Sequence, residues 1–351
     1  MNSLAERLGF KLNAIGISKS ELYRRLYAGL VNFMVGDALG APIELLHYKH
    51  IDRIYGRYGV RGLVKPIPSH PARSLKPWSV TDDTEGLLLT VNIILKYGKP
   101  KLNDYVRELV TWAKRAKVLS KYYYGLDTKY AIEKLLHGAS IDEAGAKGEC
   151  CGGPVRSLPA GLVNPLNPKR AAEEAILYCK VTHSTSVALS AAAAIAAFTS
   201  LLYSGDIDLA LKSALKYARW AASRGRLISS PSVSERIKLA VRIMRKTKNP
   251  YKGARKLHDI IGIGLHSSEA IPIAIGIFYR VPIDPTKAIH IALNMGGDTD
   301  TIAALVGLLT GVFSGKTVNT EYIENVLKTN KIDIKGIVNK LVDLIIERDK
   351  Y

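Results

Sequence analysis

Two acidic segments, residues 81–85 (TDDTE) and 298–301 (DTDT), each stand directly before an apolar segment with the residue spacing of a buried helix. The start of a helix needs only one capping side chain, and each segment carries more side-chain oxygens than that. We therefore expect both segments to begin helices and to meet across a helical bundle, where their carboxylates can share divalent cations.

The second segment follows a pair of glycines, residues 296–297. Residues two apart on a helix point away from each other, so Asp298 and Asp300 can converge only if the glycine turn holds them just outside the helix. Thr301 would then lie in the first turn. Two carboxylates and a hydroxyl are hard oxygen ligands, which suit Mg²⁺, Mn²⁺ or Ca²⁺ better than Zn²⁺.

Ordinary helix capping is the competing interpretation of both segments, because Asp and Thr are common N-cap residues. In the upstream segment Asp82 could be the N-cap, with Glu85 three residues later completing a capping box. The occurrence of two such segments in one chain favours the metal site, although one segment alone would not distinguish the two interpretations.

Four motifs follow one another along the chain: GDALG at 36–40 with Glu44 just after it, TDDT at 81–84, GGPVR at 152–156 and GGDTDT at 296–301. In content and order they resemble the ADP-ribosylglycohydrolase family, and they span most of the chain. The resemblance implies two Mg²⁺ or Mn²⁺ ions. It assigns their ligands to Thr81, Asp82, Asp83, Asp298, Asp300 and Thr301.

By the same resemblance, the candidate catalytic residues are Glu44, Asp83 and Asp300, and the candidate substrate-binding residues are Gly152, Gly153, Arg156 and His183. The glycine-rich loop exposes backbone N–H groups that can hold phosphate oxygens. His183 is expected to line the ADP-ribose pocket rather than bind metal, because hard cations prefer oxygen. The loop departs from the family pattern, with Cys150 and Cys151 at Gly-Asn positions and Val155 in place of Met.

The helical pattern runs through most of the chain and predicts an all-α, compact orthogonal helical bundle with the binuclear metal site at converging helix termini. Predicted helices are 21–36, 85–97, 104–117, 187–197, 209–223, 233–245, 267–279, 322–328 and 334–348. Residues 271–275 suit a strand equally well, and Pro272 near a helix start, with the family pattern, decides for helix. No linker divides residues 1–351, so we expect one domain, with an N-terminal extension at 1–20 and surface helices at 320–351.

The net charge of +19 favours anionic ligands without identifying them. The basic runs at 236–238, 242–248 and 252–256 are interpreted as solvated helical faces, and a nucleic-acid partner is the less favoured interpretation of them. The tyrosines at 122–124 could stack on an adenine, but packing is the preferred interpretation. Three cysteines without paired spacing fit a reducing compartment, and no signal-peptide pattern is present, so we expect a cytoplasmic protein. The apolar runs at 187–203 and 270–279 do not suit a bilayer span, so we expect no membrane contact. We also expect a monomer.

The resemblance implies a metal-dependent hydrolase that cleaves the glycosidic bond between ADP-ribose and a modified target, either a protein side chain or another ADP-ribose conjugate. An inactive ADP-ribose binder or a structural, crystallin-like member of the family is the alternative, kept open by the altered glycine loop. A nucleic-acid-binding helical protein is a third interpretation that rests on charge alone.

Overall fold

The protein is described by a computed structural model that covers residues 16–56, 59–120 and 124–348. The predicted all-α class is confirmed, since the described residues form helices and no β-strand. The helices are α1 (Lys19–Gly40), α2 (Tyr48–Tyr55), α3 (Asp82–Tyr97), α4 (Leu102–Ala116), α5 (Leu126–Leu136), α6 (Ile141–Ala144), α7 (Gly152–Ser157), α8 (Pro159–Leu162), α9 (Pro168–Cys179), α10 (Ser186–Leu202), α11 (Ile207–Ala221), α12 (Val233–Lys246), α13 (Pro250–Ile260), α14 (Ser267–Arg280), α15 (Pro285–Leu293), α16 (Thr299–Ser314), α17 (Thr320–Asn330) and α18 (Ile334–Arg348). Short 3₁₀ turns occur at Ala41–Ile43, Pro71–Ser74 and Val118–Ser120.

The centre of the fold is the pair α1 and α16, which pack together more extensively than any other described pair. Small residues allow their backbones to touch. A methyl group built at Gly36 would lie 2.4 Å from the carbonyl oxygen of Ala303, and one built at Gly40 would lie 2.3 Å from the Cα of Asp300. Only glycine fits at these two positions. Their lack of a side chain allows the C-terminal end of α1 to lie directly against the first turn of α16.

The Ala-rich helix α10 lies wholly inside the protein, and every one of its residues is buried. Alanine and serine side chains leave room for neighbouring helices on all sides of it, so it packs against α9, α11 and α14 as well as the short α7 and α8. A helix that is apolar all round is typical of the core of a large fold. The predicted helix at 187–197 is therefore confirmed and is longer at both ends.

Helix α1 extends further than predicted. It was expected to end at residue 36, but it continues to Gly40 and into the 3₁₀ turn, because the small residues that follow position 36 are needed at the contact with α16. Pro42 and the change to extended backbone at Glu44 then end it. Among the described residues, Lys19–Ile43 is long and apolar enough to cross a membrane by length and composition, and 94% of its apolar window is buried inside the protein.

The ambiguous segment around Pro272 is helical, as predicted, and forms α14 with the proline inside it. Helices α17 and α18 are amphipathic and close the fold at the C-terminal end, α18 through buried residues that include Val338 and Leu341. Tyr124 packs against Trp112 with ring centroids 5.6 Å apart, as the packing interpretation expects. The other two tyrosines of the cluster and most of the predicted N-terminal extension lie outside the described residues.

Candidate active site

The first acidic segment forms the start of α3. Thr81 is the N-cap, with extended backbone, and its hydroxyl oxygen accepts a hydrogen bond from the N–H of Asp83 at 3.3 Å. The interpretation of Asp82 as the N-cap, and the predicted helix start at residue 85, are therefore wrong. Since Thr81 supplies the cap, the carboxylate of Asp82 is not used for it and accepts a hydrogen bond from the N–H of Gly125 at 3.2 Å.

Asp37, near the C-terminal end of α1, holds the start of α3 in place. Its carboxylate is fully buried and accepts hydrogen bonds from the N–H of Thr81 at 3.1 Å and from the N–H and hydroxyl of Thr84 at 3.2 and 2.5 Å. Asp37 belongs to the GDALG motif at 36–40, and no role was predicted for it. Asp37 is the only charged residue between positions 26 and 40 of this largely apolar helix, and that was the signal that could have identified it as a positioning residue.

The second acidic segment starts α16 after a left-handed turn at Gly296 and Gly297, whose φ angles are 74° and 82°. Asp298 is the N-cap residue, yet its side chain makes no capping hydrogen bond. Its Oδ2 instead accepts a hydrogen bond from the thiol of Cys151 at 3.2 Å. The carboxylate of Asp298 therefore does not cap α16. The expectation that Asp300 lies outside the helix was wrong, since the helix begins at Thr299.

The two helix starts meet. The hydroxyl of Thr301 donates a hydrogen bond to Oδ2 of Asp83 at 2.6 Å, which joins residues 218 positions apart in the chain. Backbone bonds between residues 45–46 and Gly297 hold the segment after α1 against the glycine turn. As a result, carboxylate oxygens of Glu44, Asp298 and Asp300 all lie within 4.8 Å of one another.

This arrangement concentrates carboxylates in a water-poor space, and their pKa values rise accordingly. Burial is the largest cause, and it raises the pKa of Asp37 to about 6 and the pKa of Asp82 to about 7. Burial together with the neighbouring charge of Asp298 raises the pKa of Glu44 to about 8. Burial also raises the pKa values of Asp83 and Asp300 well above the ordinary range, with the charge of Asp82 adding to it at Asp83 and the charge of Glu44 at Asp300.

These acids have the properties of ligands for a hard divalent cation. All of the donor atoms are oxygens, and Oδ1 of Asp300 is buried without a hydrogen-bond partner among the described residues. A buried polar atom without a partner lowers the stability of the folded protein unless a water molecule or an ion binds it. A cation of charge +2 would satisfy that oxygen and offset the repulsion among the carboxylates, so the residues present fit Mg²⁺ or Mn²⁺.

The candidate substrate-binding residues adjoin the acids to different degrees. Gly152 and Arg156 line a small cleft together with Asp82 and Asp83. A methyl group on Gly152 would meet nothing closer than 3.8 Å, so that face of the loop is open. His183, by contrast, is completely buried and does not line this cleft.

Gly153 and Thr182 connect the cleft to His183. A methyl group on Gly153 would lie 2.6 Å from the Cβ of His183, so the glycine is needed for α7 to pass over the histidine. Arg156 donates a hydrogen bond to Oγ1 of Thr182, and the same oxygen is 2.7 Å from Nδ1 of His183. The Nε atom of Arg156 is buried without a partner in the described part of the chain.

Comparison with known proteins agrees with this architecture. A model of the ADP-ribosylglycohydrolase family matches residues 18–350. The ADP-ribosyl-[dinitrogen reductase] glycohydrolase of Rhodospirillum rubrum is 24% identical over 84% of this chain and 87% of its own length. The ADP-ribosylarginine hydrolase Tri1 of Serratia proteamaculans is 25% identical over 85% of this chain and 74% of its own.

The fold itself has a solved counterpart. A chain of an ADP-ribosylglycohydrolase-related protein complex superposes with a TM-score of 0.64, at 20% identity, over 93% of this chain and 99% of that one. Together with the match over nearly the whole sequence, this confirms the resemblance of the four motifs. The chain belongs to the ADP-ribosylglycohydrolase family and is a hydrolase of that kind.

Proposed function

We propose that the protein uses bound Mg²⁺ or Mn²⁺ to hydrolyse the bond between C1 of the distal ribose of ADP-ribose and a modified target, releasing ADP-ribose. The observation that carries the proposal is the hydrogen bond from Thr301 to Asp83, which unites the two acidic helix starts in one site. The names of two relatives concern ADP-ribose on dinitrogen reductase and on arginine. A protein-linked conjugate is therefore the first substrate class to test.

The ligands of the two cations would be the oxygen atoms of both helix starts: Thr81, Asp82, Asp83, Asp298, Asp300 and Thr301. When bound, the ions would supply Lewis-acid chemistry by orienting ribose hydroxyls and polarising water or the leaving group. The buried, partnerless oxygen of Asp300 and the raised pKa values of its neighbours support this assignment. Asp37 would act as a positioning residue, because its carboxylate accepts the hydrogen bonds from Thr81 and Thr84 that fix the first turn of α3.

In the reaction, the oxygen of a water molecule adds to C1, and the C1–N or C1–O bond breaks with its electron pair moving to the leaving group. One proton passes from the water to that leaving group. Glu44, Asp83 and Asp300 are the candidates to carry it. Glu44 is the partly exposed member of its carboxylate cluster, whereas Asp298 and Asp300 are buried, so geometry favours Glu44 as the group that faces substrate.

The diphosphate of the substrate would lie along the glycine-rich loop. The open face of Gly152, the N–H groups at the start of α7 and the positive charge of Arg156 are all close to the cleft of Asp82 and Asp83. His183 would act through Thr182 and Arg156 rather than by direct contact, since it is buried behind Gly153. The monomeric state and cytoplasmic location stay predictions.

The test is release of ADP-ribose from arginine-linked and serine-linked ADP-ribosylated proteins, with Mg²⁺, with Mn²⁺ and with chelator. We expect release from one linkage that requires metal and is lost in Asp300→Asn, which keeps the shape of the side chain. Asp343→Asn, at an exposed ion pair with Lys19, is the matched control and should behave like the wild type. ADP-ribose binding without release from either linkage would instead support the inactive binder, for which the cysteines of the glycine loop are the specific observation.

A further inference from the structure

A second group of metal-binding side chains lies beside the oxygen-rich site and shares no residue with it. Sγ of Cys150 is 3.0 Å from Nε2 of His183, and that nitrogen is 3.9 Å from Oδ2 of Asp127. One donor atom from each of the three residues lies within 4.8 Å of the other two. The three come from separate parts of the chain: the first turn of α5, the loop before α7 and the turn before α10.

We propose that Asp127, Cys150 and His183 form a binding site for Zn²⁺ or a similar thiophilic divalent cation. The donor set is one sulfur, one imidazole nitrogen and one carboxylate oxygen, and three protein ligands with an open fourth position are a common zinc arrangement. A thiolate and an imidazole select zinc-like ions over Mg²⁺. The proposal is independent of the reaction assigned to the oxygen-rich site.

The donor spacing suits a tetrahedral ion. With metal–ligand distances of about 2.0 to 2.3 Å, neighbouring ligand atoms of a tetrahedral zinc are about 3.5 Å apart. The separations of 3.0 and 3.9 Å from Nε2 of His183 lie on either side of that value and each differ from it by about half an ångström, and the third separation is within 4.8 Å. The side chain of Asp127 is 26% exposed, which leaves solvent access for a fourth, water ligand.

The ligands are already oriented by hydrogen bonds of the kind that surround metal sites. Oγ1 of Thr182 lies 2.7 Å from Nδ1 of His183 and can accept its proton, which would leave the lone pair of Nε2 for the ion. Oδ2 of Asp127 accepts hydrogen bonds from the N–H groups of Glu149 and Cys150, both at 3.0 Å. The loop that carries the thiol is therefore fixed to the helix that carries the carboxylate.

A cysteine nucleophile activated by histidine is the main alternative use of this group, and the electrostatics disfavour it. Burial raises the pKa of the Cys150 thiol well above its ordinary value, with Asp127 adding to the effect. Burial and the charge of Arg156 lower the pKa of His183 to about 3. Without a cation the pair therefore stays neutral, whereas a divalent ion would favour the thiolate directly.

Occupancy of the proposed site would tie the glycine-rich loop in place. The ion would connect α5 and the turn before α10 to Cys150, and the next residue, Cys151, contacts Asp298 of the oxygen-rich site. The peptide bond between Cys150 and Cys151 thus connects the proposed zinc site to the oxygen-rich site. A bound zinc would act as a brace for the loop that is proposed to hold the diphosphate.

Cobalt spectroscopy in excess Mg²⁺ tests the proposal without using enzymatic activity. Co²⁺ replaces zinc in such sites, and a thiolate ligand produces a near-ultraviolet charge-transfer band that oxygen ligands do not. We expect one equivalent of Co²⁺ to develop this band in the wild type and added Zn²⁺ to remove it. The band should be lost in Cys150→Ser and kept in Cys151→Ser, the matched control one residue away.

Two outcomes would overturn the proposal: no band in the wild type, or a band that survives Cys150→Ser and disappears in Cys151→Ser, which would place the thiolate at Asp298. Far-ultraviolet circular dichroism checks that each variant is folded. If Cys150→Ser does not fold, Co²⁺ binding is measured in Asp127→Asn instead. Its affinity for Co²⁺ should fall by roughly tenfold or more, and an unchanged affinity would exclude Asp127 as a ligand.

Discussion

The affinity of the oxygen-rich site for Mg²⁺ should rise steeply with pH near neutrality. In the metal-free protein burial raises the pKa of Asp82 to about 7 and, with the charge of Asp298, raises the pKa of Glu44 to about 8. A cation binds the ionised carboxylates, so protons must leave as it binds. At pH 6 about nine-tenths of Asp82 is protonated, and one proton released per ion corresponds to about a tenfold change in affinity per pH unit.

The expected result is Mg²⁺ binding that is at least about fivefold tighter at pH 7 than at pH 6, with net proton release, because the ionised fraction of Asp82 rises from about one-tenth to about one-half. Raised pKa values set the sign: affinity increases with pH until the acids are ionised in the free protein, and then levels off. Isothermal titration calorimetry in two buffers of different ionisation enthalpy counts the protons directly. Asp343→Asn should release as many as the wild type. Binding that is independent of pH and releases no protons would show that the carboxylates are already ionised in the metal-free protein, contrary to this prediction.

Two further predictions concern the contacts that assemble the site. Gly40→Ala should lower the free energy of unfolding by about 3 kcal/mol, because the new methyl group would overlap the backbone at Asp300. Gly86→Ala, where the nearest atoms are 3.5 Å away, is the control and should be neutral or more stable by up to about 1 kcal/mol, both measured by urea denaturation. Thr301→Val removes the hydrogen bond to Asp83 and should cost about 1 to 3 kcal/mol in the same assay. An unchanged midpoint would contradict the proposed junction.

The helical class was predictable because apolar residues recur with helical spacing across long segments, and tertiary packing then agreed with the local pattern. Helix ends were less predictable. Helix α1 runs on to Gly40 because its small residues contact Asp300, and no local signal reports that contact. At α3, both Thr81 and Asp82 can cap a helix, and the choice depends on the hydrogen bonds that Thr81 and Thr84 donate to Asp37.

The site was predictable as a set of residue types and only partly as a set of contacts. Each acidic segment has more carboxylates than helix capping needs, which indicated that the two helix starts meet. The hydrogen bond from Thr301 to Asp83 joins them as expected. The anchoring role of Asp37 depends on which face of α1 meets α3, which sequence spacing does not specify. Asp127, Cys150 and His183 lie on three unconnected segments, so their proximity follows from the fold alone.

The central claim is that both acidic helix starts bind the same pair of divalent ions, and anomalous diffraction from crystals grown with Mn²⁺ tests it most directly. We expect two Mn²⁺ peaks, each within ligand distance of carboxylate oxygens, with ligands drawn from both Asp82–Asp83 and Asp298–Asp300. A single peak, peaks bound by one segment only, or no peak at this site in protein that binds Mn²⁺ would contradict it.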